Sequence, residues 1–123
     1  MANKFNARST SIDGYTFQSL AEAERYRQLK LMLRSGDIEL LVVHPRFKVF
    51  DGFKCYGTEV VRPIHYTADF QYWDFNAGRM IVEDVKAKDR KTGKWIITEA
   101  SNMRIKLFKF RYWNDFEFRI VEA

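Results

Sequence analysis

Apolar positions in the first third of the chain recur at helical spacing over 16–35, and Gly36 stands where a helix-terminating glycine belongs. Thr16 and Ser19 are the candidate N-caps. The stretch 40–50 is apolar and β-branched but contains Pro45, so it is expected to be an edge strand or two short pieces. Asp51-Gly52 and Gly57 are turn signals, and 59–62 suits a short strand before Pro63. Two longer strands are expected at 65–74 and 79–87, joined by a hairpin-length connection, 75–78, that ends in glycine. A very basic loop, 88–94, precedes a second helix at 98–113 with Thr98 as its candidate cap, and a final strand at 116–121. The polar, Ser/Asn-rich start suggests a flexible arm over 1–14 ahead of a single domain, 15–123. The order helix, strands, helix, strand predicts an α/β fold in which helices flank a central sheet.

Composition narrows the partners. A chain of 123 residues with 46% apolar residues fits one domain with a real core. The aromatic residues are expected mainly inside that core, with some available for base stacking. A formal charge of +5 favours polyanions, nucleic acid first. The single cysteine, Cys55, excludes an internal disulfide and a cysteine-rich zinc site, and His44 and His65 show no ligand spacing. No apolar run reaches the ~20 residues of a membrane span, and the N-terminus lacks a signal core. A soluble, cytoplasmic, non-secreted protein is expected.

Two places carry candidate chemistry. At ~100° per residue, Glu22 falls on the same helical line as Tyr26, Leu29 and Leu33, whereas Glu24 turns toward water. A carboxylate facing the core needs a partner or a cation, so Glu22 is either a paired edge residue or a ligand. In the hairpin, strict alternation would put Tyr66, Ala68, Phe70 and Tyr72 on one face and Asp69 on the other. With 75–78 as the loop, Asp74 pairs with Arg79, Asp69 lies across from Asp84, and Thr67 lies across from Lys86. Directly opposed like charges destabilise a hairpin, which suggests a neutralising cation. A solvated sheet face is the competing reading, and a one-residue slip would bring Glu83 opposite Asp69 instead.

Asp69 followed by Asp84-Val85-Lys86 resembles the catalytic signature of the PD-(D/E)XK nuclease superfamily. A closer resemblance spans most of the chain from Phe17. Its segments are 19–26, Leu29-Lys30, Gly36-Asp37-Ile38, 66–70 and 82–86, and they are similar to a family of small, mostly phage-encoded nucleases of that superfamily. The segment after Lys86 departs from that pattern. The resemblance implies a restriction-endonuclease-like αβββαβ core and a Mg²⁺-dependent DNA endonuclease, with Mn²⁺ able to substitute. It implies catalytic roles for Glu22, Asp69, Asp84 and Lys86. The metal would be held by Asp69, Asp84, the Val85 carbonyl and Glu22, and Lys86 would position or deprotonate the attacking water. It further implies branched DNA, such as a Holliday junction, as substrate, a homodimer, and a role in phage recombination inside a bacterial host.

Lys88, Arg90, Lys91 and Lys94 follow directly from this site and would hold backbone phosphates without sequence choice. Arg104 on the second helix would extend that footprint. No zinc-finger, helix-turn-helix or RRM signature is present. A DNA-binding or assembly protein without turnover is the rival class.

Overall fold

A computed structural model describes residues 9–123. Its elements are β1 (Thr10–Ile12), β2 (Tyr15–Phe17), α1 (Leu20–Ser35), β3 (Ile38–Val43), β4 (Arg46–Phe50), β5 (Phe53–Cys55), β6 (Glu59–Val61), β7 (Ile64–Thr67), β8 (Phe70–Asp74), β9 (Arg79–Lys86), α2 (Glu99–Tyr112) and β10 (Glu117–Glu122). The central sheet has the order β10-β9-β8-β3; β10 runs parallel to β9, and β8 runs antiparallel to both β9 and β3. With the helices, this sheet gives the order α-β-β-β-α-β within an α/β fold. Among the described residues no helix is long and apolar enough to cross a membrane.

Local chemistry explains both helices. Ser19, not Thr16, caps α1, its hydroxyl accepting from the Glu22 amide at 3.1 Å. Thr16 lies instead in β2. Gly36 closes α1 at φ 83, with the Gly36 and Asp37 amides donating back to Leu33 and Met32, the paired bonds of a Schellman end. Thr98 caps α2 by accepting from Ser101. Of the arm expected over 1–14, residues 1–8 lie outside the described residues, and Thr10–Ile12 pairs with Tyr15–Phe17 in a tight hairpin.

The stretch expected as one strand, 65–74, is two, and so is 40–50. Val43 faces Phe70 and Arg46 faces Thr67, so the register runs unbroken through both interruptions. His44 and Pro45 therefore oppose Asp69 and Ala68, held by His44 N–H to Asp69 O at 2.9 Å and Ala68 N–H to Pro45 O at 3.0 Å. The ribbon is continuous but bent: one half belongs to the central sheet and the other forms a separate two-stranded arm, β4–β7. Proline supplies no ladder donor at the bend, and His44 turns at φ 55.

The bend corrects the single-face expectation for 66–72. Phe70 and Tyr72 pack with Ile81, Phe17, Ala23, Tyr26 and Leu29 beneath α1. Tyr66 and Ala68 instead join Val49, Val82, Ile105 and Phe108 beneath α2. Two cores result, one on each side of the sheet.

Glu83, fully buried, ties α1 to β9. Arg25 grips its carboxylate through Nε at 2.7 Å and Nη2 at 3.0 Å, and Tyr72 Oη donates to it at 2.7 Å. Arg25→Met strands this carboxylate with only the tyrosine. The expected loss is about 3 kcal/mol of folding free energy in urea unfolding, recovered largely by adding Glu83→Leu.

Candidate active site

At the bend, β7 leaves the side of β9 while β9 continues to Lys86. The hairpin register is the one the four-residue loop dictates, with Asp74 opposite Arg79 and Phe70 opposite Glu83. Asp69 comes next, at the fork, and its amide donates to Glu83 O at 3.2 Å and to Asp84 Oδ1 at 3.0 Å. Asp69 Oδ2 accepts from the Val85 amide at 2.6 Å. Tyr66 Oη donates a very short bond to Asp84 Oδ2. Lys86 Nζ lies 3.9 Å from Asp84 Oδ2 and donates to Ser101 Oγ on α2 at 3.4 Å. Thr67 has no ladder partner on β9, because the strands have already parted.

Glu22 sits at the third position of α1, where the Ser19-Leu20-Ala21-Glu22 spacing is that of a capping box. Its carboxylate takes a hydrogen bond from the Gln18 backbone, and His44, Asp84 and Lys86 are close enough to influence its charge. The bond from Gln18, in the first turn of α1, holds it at the edge of the apolar stripe, beside the fork.

Electrostatics single out this corner. Burial first, then Asp84 and Glu22, push the Asp69 carboxyl up to about 8, against the pull of the Val85 amide. Burial also raises Asp84, with Tyr66 and Lys86 opposing, and raises Glu22. Tyr66 is driven far above the phenol range by burial and the adjacent Asp84. Glu83, the neighbour on the other face of β9, has a full complement of donors; this side has a deficit of positive charge.

Asp69, Asp84, Lys86 and Glu22 thus share one neighbourhood. Val85 contributes its amide to Asp69, whereas its carbonyl was the expected ligand atom. Among the described residues no three Asp, Glu, His or Cys side chains close around a single point. The donor set still fits a hard divalent ion, which commonly takes one or two carboxylates and completes its shell with water and phosphate oxygens. Tyr66 and Ser101 escaped the sequence reading, since the contacts that bring them here depend on the bend and on α2 docking. His44 escaped because its neighbour Glu22 is remote in sequence.

An open cleft of about 1100 Å³ adjoins the site, walled by Ser19, Leu20, Lys86, Lys88, Arg90 and Ile96, among others. The 88–94 loop is ordered by Asp89, whose side chain accepts from the Lys91 and Thr92 amides. Lys88 is occupied by Glu122 at 3.7 Å and by the Trp95 ring at 4.5 Å. Arg90, Lys91, Lys94 and Arg104 are exposed and have no ion pair among the described residues. Only Lys88 and Arg90 of the expected DNA contacts line the cleft.

The raised Asp69 carboxyl gives a stability signature. Folding favours its protonated form, so its contribution is fully present below about pH 4 and is lost as pH rises through about 8. In EDTA the melting temperature should fall between pH 5 and pH 9, and Asp69→Asn should flatten that fall and melt higher than wild type at pH 9. A wild-type profile as flat as the variant's would contradict the assignment.

No curated protein and no solved structure matches the chain. Residues 2–122 match the family described as Protein of unknown function (DUF1064), so the chain belongs to that family.

Proposed function

We propose that this protein is a divalent-metal-dependent hydrolase of DNA phosphodiester bonds. The observation that carries the reading is the meeting of Asp69 and Asp84 at the fork, 3.0 Å apart through the Asp69 amide, with the Lys86 ammonium 3.9 Å from the same Asp84 carboxylate. Two adjacent carboxylates, both raised first by burial and Asp69 further by the Asp84 charge, call for a cation, and an amine beside them suits a phosphate rather than a neutral substrate.

Asp69 and Asp84 would hold Mg²⁺ or Mn²⁺, with Glu22 and the Val85 carbonyl as the further oxygens that the sequence resemblance assigns. When bound, the ion supplies Lewis acidity toward phosphate and water. The chain's own groups then divide the remaining work. Tyr66 and the Asp69 amide fix the Asp84 carboxylate. Asp84 and Ser101 hold the Lys86 ammonium at the cleft wall, where it meets a phosphate oxygen or the attacking water. Glu22 adds negative charge at the edge of the fork, suited to orienting a water. Arg90, with Lys91 and Lys94 beside it, holds the backbone by charge alone.

The α-β-β-β-α-β order and the Asp84-Val85-Lys86 tripeptide support membership in the PD-(D/E)XK superfamily. Branched DNA cut by a homodimer, one strand per subunit, inside a phage-infected bacterial cell is the finer form of the proposal. One observation favours a second reading, DNA binding without turnover: both aspartates are already engaged, by the Val85 amide and the Tyr66 hydroxyl.

Supercoiled plasmid and a labelled four-way junction incubated with Mg²⁺, Mn²⁺ or EDTA separate the two. Cleavage is expected with either metal and not in EDTA. Asp84→Asn should abolish it with DNA binding retained, and Lys86→Ala should slow it by about 10²–10⁴-fold. Binding without cleavage under both metals would establish the second reading.

A further inference from the structure

The β4–β7 arm has two faces, and among the described residues only one is covered. Phe47 and Tyr66 point toward α2, their rings 4.8 Å and 5.4 Å from Phe108. Arg46 and Lys48 alternate with Phe47 and so point the opposite way, paired across the ribbon with Thr67 and His65. Arg46 and Lys48 are exposed, and neither has an ion pair among the described residues. His65, between them and the sheet edge, is pushed below its ordinary value by desolvation and then by Arg46 and Lys48, so both charges are felt at its ring.

The hairpin β5–β6 extends the arm. Lys54 within it and Arg62 just after it are exposed and likewise without an acid partner. Between 46 and 67 the chain carries four Lys or Arg residues and two acids, and one of those acids, Asp51, is taken by Arg111 at 2.8 Å. The excess is positive, and Arg46, Lys48, Lys54 and Arg62 have no ion pair among the described residues. It is also continuous with the fork: Arg46 stands two residues from His44, and Thr67 two residues from Asp69, about 7 Å along a strand.

We propose that this uncovered face of the arm is a phosphate-binding surface for duplex DNA, with Arg46 and Lys48 leading the backbone toward the Asp69–Asp84 fork. The choice of DNA rests on the hydrolase reading above; the surface itself rests on the sheet register and the unpaired charge. A polyanion suits it because the cations are fixed on a rigid ribbon at regular spacing, with the Thr67 hydroxyl and His65 imidazole between them as hydrogen-bonding groups. The 88–94 loop would then be one of two basic contacts.

Fluorescence anisotropy with a labelled DNA duplex in EDTA, at several salt concentrations from about 50 to 200 mM, tests this. Arg46→Ala/Lys48→Ala should weaken binding about tenfold or more and lower the slope of log affinity against log salt by about 2, the loss of two phosphate contacts. Its melting temperature should match wild type, because both side chains are exposed. The charge-preserving exchange Arg46→Lys/Lys48→Arg should bind like wild type.

Unchanged affinity and slope in the alanine variant would overturn the proposal, as would tighter binding to an RNA duplex of the same sequence. Cleavage by a protein whose binding ignores the arm removes this inference alone. Arm-dependent binding with no cleavage in Mg²⁺ or Mn²⁺ leaves the inference standing and removes the hydrolase reading. A wild-type protein that binds no DNA removes both.

Discussion

The bend shared by His44-Pro45 and Ala68-Asp69 is the constraint on which the rest of this structure depends. Two paired strands turn together, keeping their register and trading hydrogen bonds across the turn. A ribbon bent this way cannot stay beside β9 along its whole length, so β9 runs on with its last residues freed from an antiparallel neighbour. Backbone groups at such a fork must find other partners. They find them in carboxylates: Asp84 accepts from the Asp69 amide, and Asp69 accepts from the Val85 amide. The geometry that ends the ladder is thereby the geometry that brings two acids together.

Adjacent glutamate and aspartate on β9 meet opposite treatment. Glu83 points under α1 into a site where Arg25 and Tyr72 satisfy both oxygens, a buried ion pair with its hydrogen bonds complete. Asp84 points under α2, where a tyrosine hydroxyl and a more distant lysine are its side-chain partners and a second carboxylate is its neighbour. Burying unpaired charge is costly, and a fold that solves the problem on one face has the means to solve it on the other. Arg25 and Glu22 are one helical turn apart on α1, so the Arg25–Glu83 pair also fixes where the first turn of that helix, and Glu22 with it, stands against β9.

Much of this was legible in the sequence, for local reasons. Caps, glycine stops and the 75–78 loop are decided within a few residues, which is why both helices and the pairing of Asp74 with Arg79 follow from the sequence alone. Pro45 announced an interruption of 40–50. Its counterpart at Ala68-Asp69 carried no such mark, since neither residue breaks a strand by itself; the bend there is imposed by the partner strand. The alternation of 66–72 therefore misled about faces while remaining correct about register. Tyr66 and Ser101 were invisible for the same reason, their roles being set by packing between elements distant along the chain. Glu22 was visible as an anomaly on an apolar stripe, but its bond to the Gln18 backbone was not.

The distribution of paired and unpaired cations adds a last constraint. On α1 and around β10 most cations have acids: Arg25 with Glu83, Arg27 with Glu24, Arg119 with Glu117 and Asp74. On the arm, the 88–94 loop and α2 many do not, among them Arg46, Lys48, Arg90, Lys91, Lys94 and Arg104. A net charge of +5 spread evenly would imply only solubility. Gathered on segments that flank the fork in the chain, on both sides of Asp69 and Asp84, the unpaired cations would, on the proposed function, draw a polyanion toward two carboxylates that otherwise repel it. On the proposed function, those carboxylates are compatible with an anionic substrate only when a proton or a metal ion neutralises them, so a DNA substrate and a cation at the fork would go together.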